Sequence, residues 1–301
     1  MIRIAIIVAL LTVVSVTQGQ ERIANLDNFV RVEYHYAYTS DFEYDSAVFD
    51  GGHTTSHALV LSGVYSINER WKLFATIPYV QRRQSGAAGV HDPAVDFFQY
   101  EPPDMRFIDD GSYHGGLQDL SFGVQYLAVD GPRFSVSPFV SYGTPVTDYP
   151  FYGAAAIGKQ LDELHLGLSM ELRPYFSDWL FQADVTYAIS EQELGVDLNY
   201  WLAYVAAGYY VTPQLIPRIY ISGREAPNAL IAEDIDAIGW DSAEGYHHDQ
   251  ILKHSFVNAG VGVDYLISER TSISATYFKS IRSDNVYELD AAFTVGVTRS
   301  F

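Results

Sequence analysis

The 301-residue sequence contains no cysteine, and it carries only 18 Lys and Arg against 37 Asp and Glu. Without cysteine no disulfide can brace the fold, so its stability must come from elsewhere. The net charge of −19 argues against a nucleic-acid partner. Long apolar runs are scarce too. One occupies residues 1–19, where Arg3 precedes an apolar core from Ile4 to Val14 and the small residues Thr17 and Gly19 follow. That is the layout of a secretory signal cleaved before Gln20, and its core is short for a membrane helix of about 20 residues. No comparable run follows, so any part of residues 20–301 that enters a membrane enters as strands. No domain boundary shows within that stretch, which reads as a single domain.

What is present is alternation and aromatic rings. There are 23 Tyr, 17 Phe and 4 Trp, 15% of the chain, and mean hydropathy is +0.00. A helical membrane protein would be far more apolar, whereas in a membrane barrel only alternate residues meet lipid and aromatic girdles mark both interfaces. The last stretch, 286–301, shows the pattern well. Tyr287, Leu289, Ala291, Phe293, Val295, Val297 and Phe301 share one parity, and Glu288, Asp290, Ala292, Thr294, Gly296, Thr298 and Ser300 the other. Strand side chains alternate between faces, so this is a strand with one apolar and one polar side. It exceeds the ~9–11 residues that a tilted strand needs to cross a bilayer.

The same pattern recurs along the chain. In 29–39, Val32, Tyr34, Tyr36 and Tyr38 oppose Arg31, Glu33 and His35. Further strands are expected at 57–66, 71–82, 117–128, 133–143, 164–172, 179–187, 196–211, 218–223, 252–265 and 271–281, with a bulge at Pro138. In 196–211 the lipid-facing set is expected to be Leu198, Tyr200, Leu202 and Tyr204. The connections alternate in length. INER, VDGP, PYFSD, TPQLIP and ISER are short, whereas 40–52, 85–114, 144–162 and 224–250 are long, though 190–195 and 282–285 are not. Short turns at one end and long loops at the other are a barrel signature. The expected fold is all-β: a closed antiparallel transmembrane β-barrel of about twelve strands.

Residues 63–80, GVYSINERWKLFATIPYV, resemble a hairpin of the outer-membrane barrels grouped with the meta-pathway of phenol degradation. Residues 115–131, 134–150 and 180–190 look like further hairpins of that family, although Gly143-Thr144-Pro145 stands where it more often shows Pro-Thr-Gly. The resemblance implies a bacterial outer-membrane channel for small, often aromatic or hydrophobic, solutes. The implied surroundings are outer-membrane lipid, lipopolysaccharide and the barrel assembly machinery. Phe301 resembles the terminal aromatic that the machinery reads, with the last strand closing on the first. The family has no catalytic residue to carry over, and nothing in the sequence calls for a cofactor.

A lipid hydrolase needs a nucleophile within hydrogen-bond reach of its base. His254-Ser255 and Ser56-His57 are adjacent and point to opposite faces, and His53 and Ser56 have the wrong spacing, so only a partner from another strand could serve. His247-His248-Asp249, near Glu233, Asp234 and Asp236, could offer oxygens to a hard cation but reads better as a solvated acidic loop. The polar parity of a barrel faces the lumen, which makes Arg31, Glu33, His35, Asp119, Gln125, Arg133, Glu171, Asp184, Asp264, Glu288 and Asp290 the candidate pore-lining residues. Across the closing seam, Arg31 is expected to meet an acid of the last strand. A barrel of this size has a narrow bore, open to small solutes or self-plugged by salt bridges; a structural or adhesive barrel is the alternative to a channel.

Overall fold

The computed structural model describes residues 28–44, 47–49, 52–86, 91–284 and 286–301. The leader expected at 1–19 lies outside the described residues. The chain forms a closed antiparallel barrel of 12 strands. In chain order these are β1 (Phe29–Tyr44), β2 (His53–Ser66), β3 (Trp71–Ser85), β4 (Asp119–Tyr126), β5 (Phe134–Pro145) and β6 (Glu163–Leu172). There follow β7 (Trp179–Ser190), β8 (Tyr200–Tyr209), β9 (Leu215–Glu225), β10 (Ser255–Ser268), β11 (Thr271–Asp284) and β12 (Val286–Ser300). Each strand pairs with its sequence neighbours, and β12 closes on β1 from Phe29↔Ser300 to Glu43↔Val286. Closure leaves no free sheet edge, which is how a chain without disulfides satisfies its backbone inside a membrane.

Side-chain parity sorts the two faces. Leu59, Ile77, Val205, Ile219, Ile221, Val261 and Val295 point outward and are 40–62% exposed. Rings flank this aliphatic band: Trp71 with Tyr126 and Trp179 with Tyr209 beside the short turns, and Tyr187 with Trp201 towards the other end. A belt of this extent is stable only against hydrocarbon. Pro138 does not break its pairing with β6, where it lies opposite Leu168 in an unbroken register. The irregularity is on its other side, where pairing with β4 ends at Gln125↔Phe139 and the separate pair Val129–Asp130 takes up Val136 and Ser135.

Strand β8 corrects the sequence reading. Tyr200, Leu202 and Tyr204 point inward, at 0%, 2% and 2% exposure, while Trp201 and Val205 face out. They pack with Ala37, Tyr220, Phe278 and Ala292 into an apolar cluster inside the barrel. Hydrophobicity marks the lipid face only where the interior is polar, and on this side the interior is not.

The long connections gather at the end opposite the short turns. They carry the short helices α1 (Pro93–Asp96), α2 (Ala232–Ile238), α3 (Ala243–Tyr246) and α4 (His248–Ile251). Ile235, Ile251 and Leu252 pack on Leu161 and Leu198. Tyr149 and Ile157, from the β5–β6 connection, pack on Ala58, Val60 and Val80 of the inner wall. The described residues of these connections form a lid whose 146–162 segment dips into the mouth.

Candidate functional site: the barrel interior and its lid

Near the short-turn end, Arg31 and Glu33 of β1 face inward at 5% and 4% exposure. Arg31 Nη2 donates to Glu33 Oε1 (2.7 Å) and to Ser274 Oγ (3.0 Å). His35 is half-buried above them, its Nδ1 3.0 Å from Thr294 Oγ1. Asp264 pairs with Arg218 at 2.6 Å. Arg173 Nε lies 2.9 Å from Glu171 Oε1, Gln125 stands opposite Lys72, and Asp184 is buried opposite Tyr204. Asp119 accepts a hydrogen bond from Tyr149 of the lid.

Three candidates lie away from the inner wall. Arg133 is exposed in the turn before β5, its guanidinium 3.2 Å from the centre of the Tyr175 ring. A register shift between Tyr38 and Thr39 sets Leu289 opposite Thr39, so Leu289 is buried with the interior cluster. Above that bulge Glu288 stands opposite Ser40 on the outward parity, and Asp290 accepts from Ser40 Oγ at 2.6 Å. The expected seam pair does not form. Arg31 lies opposite Thr298, far along the antiparallel register from Glu288 and Asp290, and takes its acid from its own strand.

Several interior side chains escaped the sequence reading. Arg218 and Arg224 follow the inward parity of β9, and Arg82 that of β3. Arg224 lies 3.8 Å over the Tyr200 ring, and Glu163 accepts from Tyr200 OH (2.7 Å) beside His165 Nε2 (3.1 Å). Continuing each strand's parity to its last polar residue would have found all of these.

Beneath the lid, backbone amides and buried carboxylates meet. Asp109, 2% exposed, accepts from Ala154 N (2.8 Å), Ala155 N (2.7 Å) and His91 Nδ1 (2.7 Å). Gly153 N donates to Asp249 at 3.0 Å. Gly153 has φ +110°, and a Cβ there would meet Ile108 at 3.2 Å, so this turn requires glycine. His248 and Asp249 are each 1% exposed, which corrects the solvated-loop reading of 247–249. Among the described residues no group of three or more His, Asp or Glu is arranged to hold a metal ion.

Burial by itself would lower the His91 pKa, but the hydrogen bond and charge of Asp109, with Asp249 and Asp96 nearby, raise it above its usual 6.5. His254, 1% exposed, is held well below 6.5 by desolvation and by Lys159, Arg224, His248 and Arg82. These histidines act in opposite directions. A raised His91 stabilises the lid fully below pH 6.5 and loses that contribution as pH rises through its folded value. A depressed His254 stabilises it above 6.5 and loses that contribution as pH falls through its folded value. The summed contribution of these two histidines to the lid is therefore greatest at about pH 6.5 and falls on both sides. Hydrogen exchange of residues 91–109 and 232–254 at about pH 5, 6.5 and 8 checks this, and a monotonic profile would contradict it.

One Ser–His contact bears on hydrolase chemistry. His53 Nε2 and Ser85 Oγ lie 2.9 Å apart across β2 and β3. No carboxylate among the described residues orients that imidazole. Ser56 and His57 face opposite ways as adjacent strand residues must, His57 joining Tyr34 OH (2.7 Å) and Tyr113 OH (3.1 Å).

No family model matches the sequence, and no curated protein is significantly similar to it. Solved structures are similar in fold. An outer membrane channel from Pseudomonas putida F1 superposes with a TM-score of 0.68 at 13% identity, over 92% of this chain and 96% of that one. The fold is that of an outer-membrane β-barrel. The translocator domain of the autotransporter NalP from Neisseria meningitidis is similar with a TM-score of 0.52 at 12% identity, over 96% of this chain and 94% of that one. The β domain of the Bordetella autotransporter BrkA gives 0.50 at 13%, over 91% and 100%. A closed barrel with this apolar belt belongs in the bacterial outer membrane.

Proposed function

We propose that this outer-membrane barrel, freed of residues 1–19, passes small solutes passively, and that aromatic or hydrophobic solutes are among them. The observation that carries the reading is the two-sided interior. Tyr204, Tyr220 and Phe278 form an apolar wall, and Arg31, Glu33, Arg218 and Asp264 a charged level below it. A small amphipathic molecule can keep its ring on the first while its polar group meets the second. The likeness to a P. putida channel supports the reading at the level of fold. Liposome swelling tests it: phenol-sized solutes should enter faster than sugars of similar mass, and Tyr220→Ala should narrow that preference. Equal rates for both would count against the aromatic part.

The filled interior favours the alternative of a structural or adhesive barrel, since Arg218, Tyr220 and Asp264 are 8% exposed or less. Absence of swelling with a folded barrel would decide for it. A lipid hydrolase built on His53 and Ser85 ranks third and is isolated by a phospholipid-cleavage assay.

We further propose that Phe301 serves assembly by the barrel machinery. It is 67% exposed at the end of β12, and its amide donates to Asn28 O at 3.1 Å beside the closing seam. Deleting Phe301 should lower the amount of protein in the outer membrane without changing the conductance of the molecules that do insert. Wild-type levels of inserted deletion protein would refute the role.

A further inference from the structure

The lid holds a pocket of about 310 Å³. Three separate connections build it: His91 to Phe98, Tyr152, and Trp240 to His248. Its walls are mainly rings. Phe97 meets Tyr152 edge-on at 5.1 Å, His91 meets Tyr152 at 5.6 Å, and Trp240 meets His248 at 5.1 Å. Phe97, Tyr152, His91 and His248 are nearly fully buried, so the walls are fixed, whereas Phe98 at the rim is 76% exposed.

The charges around these rings are predominantly negative. Asp96, which accepts from Tyr152 OH (2.9 Å), and Asp241, which accepts from Gln99 N (2.9 Å) and Tyr100 N (3.0 Å), both line the pocket. Behind the floor lie Asp109, against His91, and Asp249, whose Oδ1 is 3.3 Å from His248 Nε2. Desolvation raises the Asp249 pKa well above the usual carboxylate range. The hydrogen bond and charge of Asp109 raise the pKa of His91, 2.7 Å away. Two carboxylates beside aromatic rings in a pocket of ligand size suit a cation with an apolar body. The chain's net charge of −19 would draw such a cation to this surface.

We propose that this pocket is a binding site for a small organic cation, an amine carrying a ring-sized apolar group. The site does not depend on the channel reading, because its occupancy is measured without flux. The probe is 2-phenylethylammonium, titrated calorimetrically into the detergent-folded full chain, with the uncharged 2-phenylethanol as its comparison. The ammonium should bind at least about tenfold more tightly than the alcohol. Asp96→Asn keeps an acceptor for Tyr152 while removing the charge, and should weaken the ammonium about tenfold without affecting the alcohol. Trp240→Ala should weaken both, with unboiled gel mobility confirming a folded barrel. No ammonium binding, equal affinity for ammonium and alcohol, or wild-type affinity in Asp96→Asn would each overturn the proposal.

Discussion

Replacing Asp109 with Ala is expected to unseat the lid and raise single-channel conductance severalfold while the barrel stays folded. Asp109 is a buried acceptor that serves three donors from two segments: the amides of Ala154 and Ala155, and the His91 ring. An unsatisfied buried donor costs about 1–3 kcal/mol. Losing three at once removes a large part of what holds a set of loops with no strand ladder of their own. The strands are independent of this carboxylate, since their pairing runs continuously around the barrel. His91 would also lose the partner that raises its pKa, so the alkaline loosening of the lid should vanish in the same variant. Planar-bilayer conductance and limited proteolysis at 91–113 measure the two effects. Wild-type conductance together with a wild-type cleavage pattern would show that the lid does not hang on Asp109.

The strands and their faces were legible in the sequence because the bilayer enforces a simple code. Every outward position must be apolar, and in β1 Val32, Tyr34 and Tyr36 announce that face as clearly as Arg31 and Glu33 announce the other. The code fails where both faces are apolar. Tyr200, Leu202 and Tyr204 looked like lipid-facing residues because nothing in their types separates a ring against lipid from a ring against Phe278. It fails again at the bulge beside Thr39, where one extra residue turns Leu289 inward and Glu288 outward. The lid was illegible for a different reason. Its order rests on non-local contacts of short segments, such as Tyr149 against Val60 and Asp109 against the amides of 154 and 155, and these have no periodicity to read. Proline and acidic residues mark 85–114 and 224–250 as loops, but composition does not tell a solvated loop from one folded around buried carboxylates.

Within the interior, the largest single-residue effect is expected at Arg218. Its guanidinium donates to Asp264 at 2.6 Å, with side chains only 3% and 6% exposed. The barrel makes room for it: Gly262 stands opposite, and a Cβ there would lie 2.8 Å from Arg218 Nε. Arg218→Ala strands Asp264 in that confined space. Arg31, the other cation that acts on Asp264, is already bonded to Glu33. Breaking a buried pair from one side costs about 3–5 kcal/mol, because the remaining charge has lost both water and partner. Removing both charges together avoids that penalty, so Arg218→Ala with Asp264→Ala should recover most of the lost stability towards urea. The two single variants should also part in selectivity. Arg218→Ala leaves Glu33 and Asp264 against Arg31 alone and should shift the reversal potential in a salt gradient towards cations. Asp264→Asn should shift it towards anions. If both variants keep the wild-type reversal potential while the protein conducts, the path of the ions does not pass this charged level, and the two-sided interior is not the pore.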